Sequence, residues 1–211
     1  MNKTNNISEI LLGGQGKREF FTGKPMSCMH EFYLSGTIES AENYIDWLDV
    51  IRHAGEHDVV KIYINSYGGD LFTAIQMMRA LSECRGTVIT SVEGACMSAA
   101  TLVFLGGHSF EVSAHSMFMF HDYSGGVFGK GGEMLDQLRH ERSWSEKLLM
   151  DMYEDFLTPD EIVSMINNKD IWMDGDEVLN RLQAKVDKIE AEEAAAKAAE
   201  EETDIEEEDT E

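Results

Sequence analysis

The sequence predicts an α/β fold built on a parallel sheet. Runs rich in β-branched and aromatic residues, "VVKIYIN" (Val59–Asn65) and "TVITSVEG" (Thr87–Gly94), read as strands. Between and after them lie segments whose apolar residues recur at helical spacing, such as Ile75, Met78 and Leu81. Strand and helix in alternation are the mark of βαβ units around a buried parallel sheet.

The elements follow in order. Residues 1–23 form a polar, glycine-containing arm with a brief "ILL" at Ile10–Leu12. "EFYLSG" (Glu31–Gly36) is a short strand, and Ser40 is placed to cap a helix carrying Ile45, Leu48 and Ile51. The strand at Val59–Asn65 ends in "SYGGD", a turn, and a helix spans Leu71–Cys84. After the strand at Thr87–Gly94, a helix starts at Ser98 and ends at Gly106 and Gly107. "SMFMFH" (Ser116–His121) is another strand. A long helix covers about Glu133–Phe156, and a second begins at "TPDE", where Thr158 caps and Pro159 takes the first helical position. A helix at Asp176–Leu182 and a strand near "AKVDKI" close a single domain, residues 24–190.

The 211 residues suffice for one domain with a sizeable core. Net charge is −23, and the last 25 residues hold 13 acidic and 2 basic side chains. The acidic, low-complexity stretch 191–211 has too few large apolar residues to offset the entropy of ordering, so it reads as a solvated tail. Phosphate binding wants basic patches, which excludes nucleic acid as the main partner. No apolar run approaches the roughly 18 residues of a membrane span. The first residues lack the pattern of a signal peptide. Cys28, Cys84 and Cys96 show no metal-type spacing, and an odd count suits reduced thiols. The expectation is a cytoplasmic protein without bound metal.

In open α/β sheets reactive groups gather beyond the carboxyl ends of strands. Three such points stand out. Ser66–Gly69 offers two glycines that let the backbone approach a ligand. Ser98 sits where a strand enters a helix, and His121 ends "SMFMF". A serine hydroxyl becomes a nucleophile when a base takes its proton and a third group orients that base. Ser98, His121 and a later carboxylate would supply this, with the N–H groups of Gly69 and Ala99 as an oxyanion hole. Each has a plainer reading: a serine at a helix start is commonly a cap, and a strand-end histidine is commonly structural. His108 and His115 flank a turn, while His30, His53, His57 and His140 read as surface or satisfied positions.

"KIYINSYGGD", "GACMSAATLVFLGG", "MFMFHDYSGGVFGKGG" and "KDIWMDGDEVL" occur in the order and near the spacing of the Clp protease proteolytic subunit family, which the chain resembles over Glu31–Ile189. The resemblance implies a fold of repeated β-β-α units, shared with crotonases, plus a protruding handle strand and long helix. It implies a serine endopeptidase that cleaves unfolded polypeptides inside two stacked seven-membered rings. An AAA+ ATPase would feed the chamber, so ATP acts through a partner and this chain needs no cofactor. Position by position, Ser98 matches the nucleophile, His121 the base and Asp170 the aspartate, the last because it lies just before Trp172-Met173. Asp122 and Asp174 are rivals for that role. Gly69 and Ala99 match the oxyanion donors, and "YSGGVFGKGG" with the helix after it matches the handle.

The departures are Tyr67 for a usual proline, Ala99 for a usual methionine, and "HDY" for "HQP". All leave the reactive groups in place. Three alternatives stay open: a capsid-maturation protease of a tailed virus, a catalytically silent scaffold ring, and an acyl-CoA-binding crotonase relative.

Overall fold

The computed structural model describes residues 26–187 and 191. The arm at 1–23 and the tail beyond Ala191 lie outside the described residues. One six-stranded sheet organises the rest. β1 (Met29–Ile38) leads through a 3-10 turn at Ala41–Tyr44 into α1 (Ile45–His53). β2 (Val59–Gly69), α2 (Leu71–Ser82), β3 (Thr87–Met97) and α3 (Ala99–Leu105) follow. Then come β4 (Ser109–Val112), β5 (Met117–Phe120), α4 (Gly131–Tyr153), α5 (Pro159–Ile166) and β6 (Ile171–Asp174). Residues 175–187 form a closing helix, α6.

The sheet order is β1-β2-β3-β5-β6, with β4 also paired to β3. Every pairing is parallel except β5 with β6. β3 forks the sheet. Its residues Ile89–Val92 pair with β4, and Ala95–Met97 pair with β5. At the fork the β2–β3 register shifts between Ile64 and Ser66. The Asn65 side chain bridges the gap, its Oδ1 accepting the Ala95 N–H at 3.0 Å. Gly94 makes room for it, because a Cβ there would lie 2.7 Å from that oxygen.

β2 alternates strictly. Val60, Ile62 and Ile64 join the buried cluster with residues of α1, α2 and α3. Lys61, Tyr63 and Tyr67 point the other way: Tyr63 stacks on Tyr33 with ring centroids 4.8 Å apart, and Lys61 pairs with Glu111 at 2.8 Å. Parallel sheets are normally covered on both faces, so this half-open face departs from the fully buried sheet the sequence predicts. The other side of the core is aromatic. Phe104 meets Phe118 at 5.3 Å, and Phe120 meets Tyr153 and Phe156 at 5.5 and 5.4 Å.

Several expectations need correcting. The stretch "AKVDKI" is no strand as far as it is described: 184–187 continue α6, where Val178 and Leu182 bury themselves at helical spacing. "SYGG" is not a turn but the end of β2, extended against Thr37 and Ile38 after a bulge. β4 and β6 are strands too short to betray themselves in sequence. Ser40 makes no side-chain cap bond. Residues 121–130 of the handle form no strand. Thr158 and Asp174 do cap, accepting from Glu161 N–H at 3.3 Å and Glu177 N–H at 2.9 Å.

The first turn of α5 and the middle of α6 are tied by charge. Arg181 donates to both Glu161 oxygens at 2.8 and 2.7 Å and to Glu177 at 2.8 Å. The Arg181 guanidinium, reinforced by Thr158 donors, lowers the Glu161 carboxyl from 4.5 to about 2. A depressed carboxylate stabilises the fold above its unfolded pKa, and that contribution is lost as pH falls toward the folded one. Arg181→Gln should therefore lower stability near neutrality and flatten its decline between those two values, read by urea unfolding across pH. An unchanged acid limb would contradict the assignment.

Candidate active site

Three strand ends converge, from β2, β3 and β5. β3 ends at Met97, and Ser98 turns the chain into α3. Its N–H donates to the Met119 carbonyl at 2.8 Å, so the turn is pinned to β5. Ser98 has φ 54° and ψ −132°, a region that non-glycine residues rarely occupy. Its carbonyl accepts from the Thr101 N–H at 2.9 Å and from the Thr101 hydroxyl at 2.7 Å. With its proton so used, Thr101 Oγ1 accepts from the Tyr153 hydroxyl, 2.7 Å away and buried. Burial pushes the Tyr153 phenol far above its ordinary range and keeps it a donor. The strained turn is thus held from α4.

The Ser98 hydroxyl makes no cap bond to α3. It lies 2.6 Å from His121 Nε2. His121 follows β5, whose Phe118 and Phe120 are fully buried, and emerges half-buried as the strand ends. A hydroxyl and an imidazole nitrogen at this distance can pass a proton.

The end of β2 lies against this pair. Gly68 has φ 90°, and a Cβ on it would stand 2.6 Å from the Ser98 Cβ and 2.7 Å from the Met97 carbonyl oxygen. Only a bare backbone fits there. Buried Ser66 fixes the approach, its hydroxyl donating to the Gly36 carbonyl at 2.6 Å and accepting the Gly68 N–H at 3.1 Å. Gly69, at φ 151°, follows and borders the same cleft as Ser98. Ala99 is the first residue of α3, so its N–H has no intrahelical partner.

The carboxylates are placed differently. Phe120 pairs with Ile171 in the antiparallel β5–β6 ladder. One step further along that register sets Asp170 across from His121, a spacing at which side chains on one face can meet. The Asp170 side chain is exposed and borders a smaller pocket with Glu161, Ser164 and Lys169. Among the described hydrogen bonds none joins it to His121. Asp122 is buried and bound elsewhere: it receives Arg142 at 3.2 Å and its own neighbour's Tyr123 N–H at 2.8 Å. Asp174 caps α6.

Ser98, His121, Gly69 and Ala99 all border one cavity of about 590 Å³, a size ordinary for ligand clefts. Leu102 and Leu149 line its apolar side, and Phe72 stacks on Trp144 at 5.4 Å to wall it between α2 and α4. Tyr153, Thr101, Phe72 and Trp144 carry no sequence signal for this place. α4 brings Tyr153 and Trp144 here only once it folds back over the sheet.

The Clp protease family profile matches residues 32–206. A curated relative from Bacteroides fragilis, an ATP-dependent Clp protease proteolytic subunit, is 24% identical over 147 residues, covering 69% of this chain and 68% of its own. The protein of the same name from Bacteroides thetaiotaomicron is 24% identical over 147 residues, 69% of this chain and 64% of its own.

Adding a methyl at Gly68 must displace Ser98 or strain the backbone, a cost on the order of 1–3 kcal/mol. Gly68→Ala should lower the melting temperature by about 3–10 °C. Gly126→Ala, where the added Cβ meets open space, should leave it unchanged. Equal melting temperatures for the two variants would refute the close approach.

Proposed function

The chain belongs to the Clp protease family, and from that premise we propose that it is a serine endopeptidase acting on unfolded polypeptide inside an oligomeric chamber. The observation that carries the reading is the 2.6 Å contact between Ser98 Oγ and His121 Nε2. It occurs at a residue held in a strained turn, with the cleft open beside it.

In the proposed reaction His121 Nε2 takes the Ser98 proton as Oγ attacks the scissile carbonyl. The N–H groups of Gly69 and Ala99 receive the developing oxyanion. The imidazolium then protonates the leaving amine, and water, deprotonated by the same imidazole, releases the acyl group. Asp170 orients His121 from across the β5–β6 register, which requires its side chain to swing from the neighbouring pocket toward the imidazole. The exposed backbone of Gly125 and Gly126, bordering the cleft, suits an extended substrate that pairs main chain to main chain.

Assembly is part of the reading. The outer face of β1 and β2 carries exposed Tyr33 and Tyr67, and Phe128 before α4 is 98% exposed. Over residues 131–140 of α4 only Met134 is even half-buried. Such uncovered apolar groups on a sheet face and a projecting helix support burial against other copies. In this reading an AAA+ ATPase delivers substrate to the chamber, as the resemblance implies.

Ser98→Ala should reduce cleavage of an unfolded protein or fluorogenic peptide by roughly 10³-fold or more, with native mass unchanged. Unchanged hydrolysis would sink the proposal. Asp170→Asn should cost on the order of 10³–10⁴-fold in kcat through the wrong imidazole tautomer, while Asp122→Asn should act mainly on thermal stability through Arg142. The reverse pattern would transfer the orienting role to Asp122.

A further inference from the structure

At the amino ends of β1 and β2, about 30 Å along β2 from its glycine end, a second group of reactive side chains comes together. Cys28, His30 and Asp58 each offer one ligand atom, and these atoms lie within 4.8 Å of one another. The backbone explains why. Cys28 and His30 are two apart on an extended segment, so their side chains share a face. The Val59 N–H donates to the Cys28 carbonyl at 2.8 Å, which sets Asp58 beside Cys28 as β1 and β2 begin to pair.

Asp58 is held in place before any ligand arrives. Its Oδ1 accepts the Cys28 N–H at 2.8 Å and its Oδ2 the Gly55 N–H at 2.7 Å. Its own N–H donates to the Gly55 carbonyl at 3.0 Å, and its carbonyl accepts the Thr87 N–H at 2.9 Å. Each carboxylate oxygen keeps a lone pair free for a cation. Cys28 is a free, exposed thiol.

We propose that Cys28, His30 and Asp58 bind one zinc-class divalent cation, with water in the fourth position. Thiolate, imidazole and carboxylate together favour zinc over the oxygen-preferring magnesium and calcium. Bonds of about 2.0–2.3 Å need the three atoms somewhat closer, a change that rotation of the exposed Cys28 side chain supplies. The distance from Ser98 makes the ion a clip, fastening the entry of β1 to the loop before β2. No step of the proposed peptidase reaction depends on it. Spacing along the chain hid the site, because only sheet pairing brings Asp58 to the other two.

The test uses the metal-stripped full chain and cobalt(II) as a spectroscopic stand-in for zinc. One equivalent of cobalt should produce a thiolate-to-metal charge-transfer band with the visible bands of a tetrahedral site. Zinc should displace it stoichiometrically and raise the melting temperature. Cys28→Ser should abolish the charge-transfer band, and His30→Gln should weaken zinc binding at least tenfold, both with unchanged circular dichroism. The acidic tail can hold cations through oxygen alone and cannot produce that band. Absence of the band in the unsubstituted chain, its persistence in Cys28→Ser, or equal zinc affinity in all three proteins would overturn the proposal.

Discussion

The contact between the backbone at Gly68 and the turn at Ser98 is the constraint on which the site depends. β2 and β3 must end close enough for their last residues to share a cleft, and no Cβ fits between them. The ladder alone does not bring this about. The β2–β3 register breaks at Asn65, the Asn65 amide takes over a ladder bond, and β3 turns from β4 toward β5. That redirection carries Ser98 to β5, where Met119 receives its N–H and His121 its hydroxyl.

A residue at φ 54° persists only when its surroundings over-determine it. Here the surroundings are specific. The Ser98 carbonyl is held twice by Thr101, and Thr101 is held by Tyr153 from the last turn of α4. Tyr153 in turn packs edge-on against Phe120, the residue before the histidine. One aromatic core thus positions both Ser98 and His121, and because Thr101 spends its proton on the Ser98 carbonyl, the relay runs in one direction. The same helix leaves its first turns exposed, so the element that braces the turn also projects from the core.

Much of this was legible in the residues. β2, β3 and β5 announce themselves through β-branched and aromatic runs, and Thr158 with Pro159 and Glu161 spells a helix start. Ser98, His121 and Gly69 stand out as candidates because open α/β sheets gather ligands beyond their strand ends, and their roles come from the resemblance. The rest depends on partners distant in sequence. "SFEV" and "IWMD" become strands only because β3 and β5 offer them edges. "SYGG" reads as a turn because two glycines usually make one, yet pairing with Thr37 and Ile38 keeps it extended. Val186 suggests a strand until Val178 and Leu182 are seen to face the core from one helix. Asp170 is singled out only by the resemblance, through its place before Trp172-Met173; the ladder sets its backbone across from His121, while its side chain borders a neighbouring pocket.

The central claim is that the fold prepares the Ser98 hydroxyl, and no other, for nucleophilic attack. The most direct measurement is peptide mapping by mass spectrometry after exposing the native full-length protein to a fluorophosphonate probe. The account predicts one adduct per chain, on the peptide containing Ser98, and none when His121 is replaced by alanine. An adduct on a different serine, or peptide cleavage by a protein that takes up no probe, would contradict it.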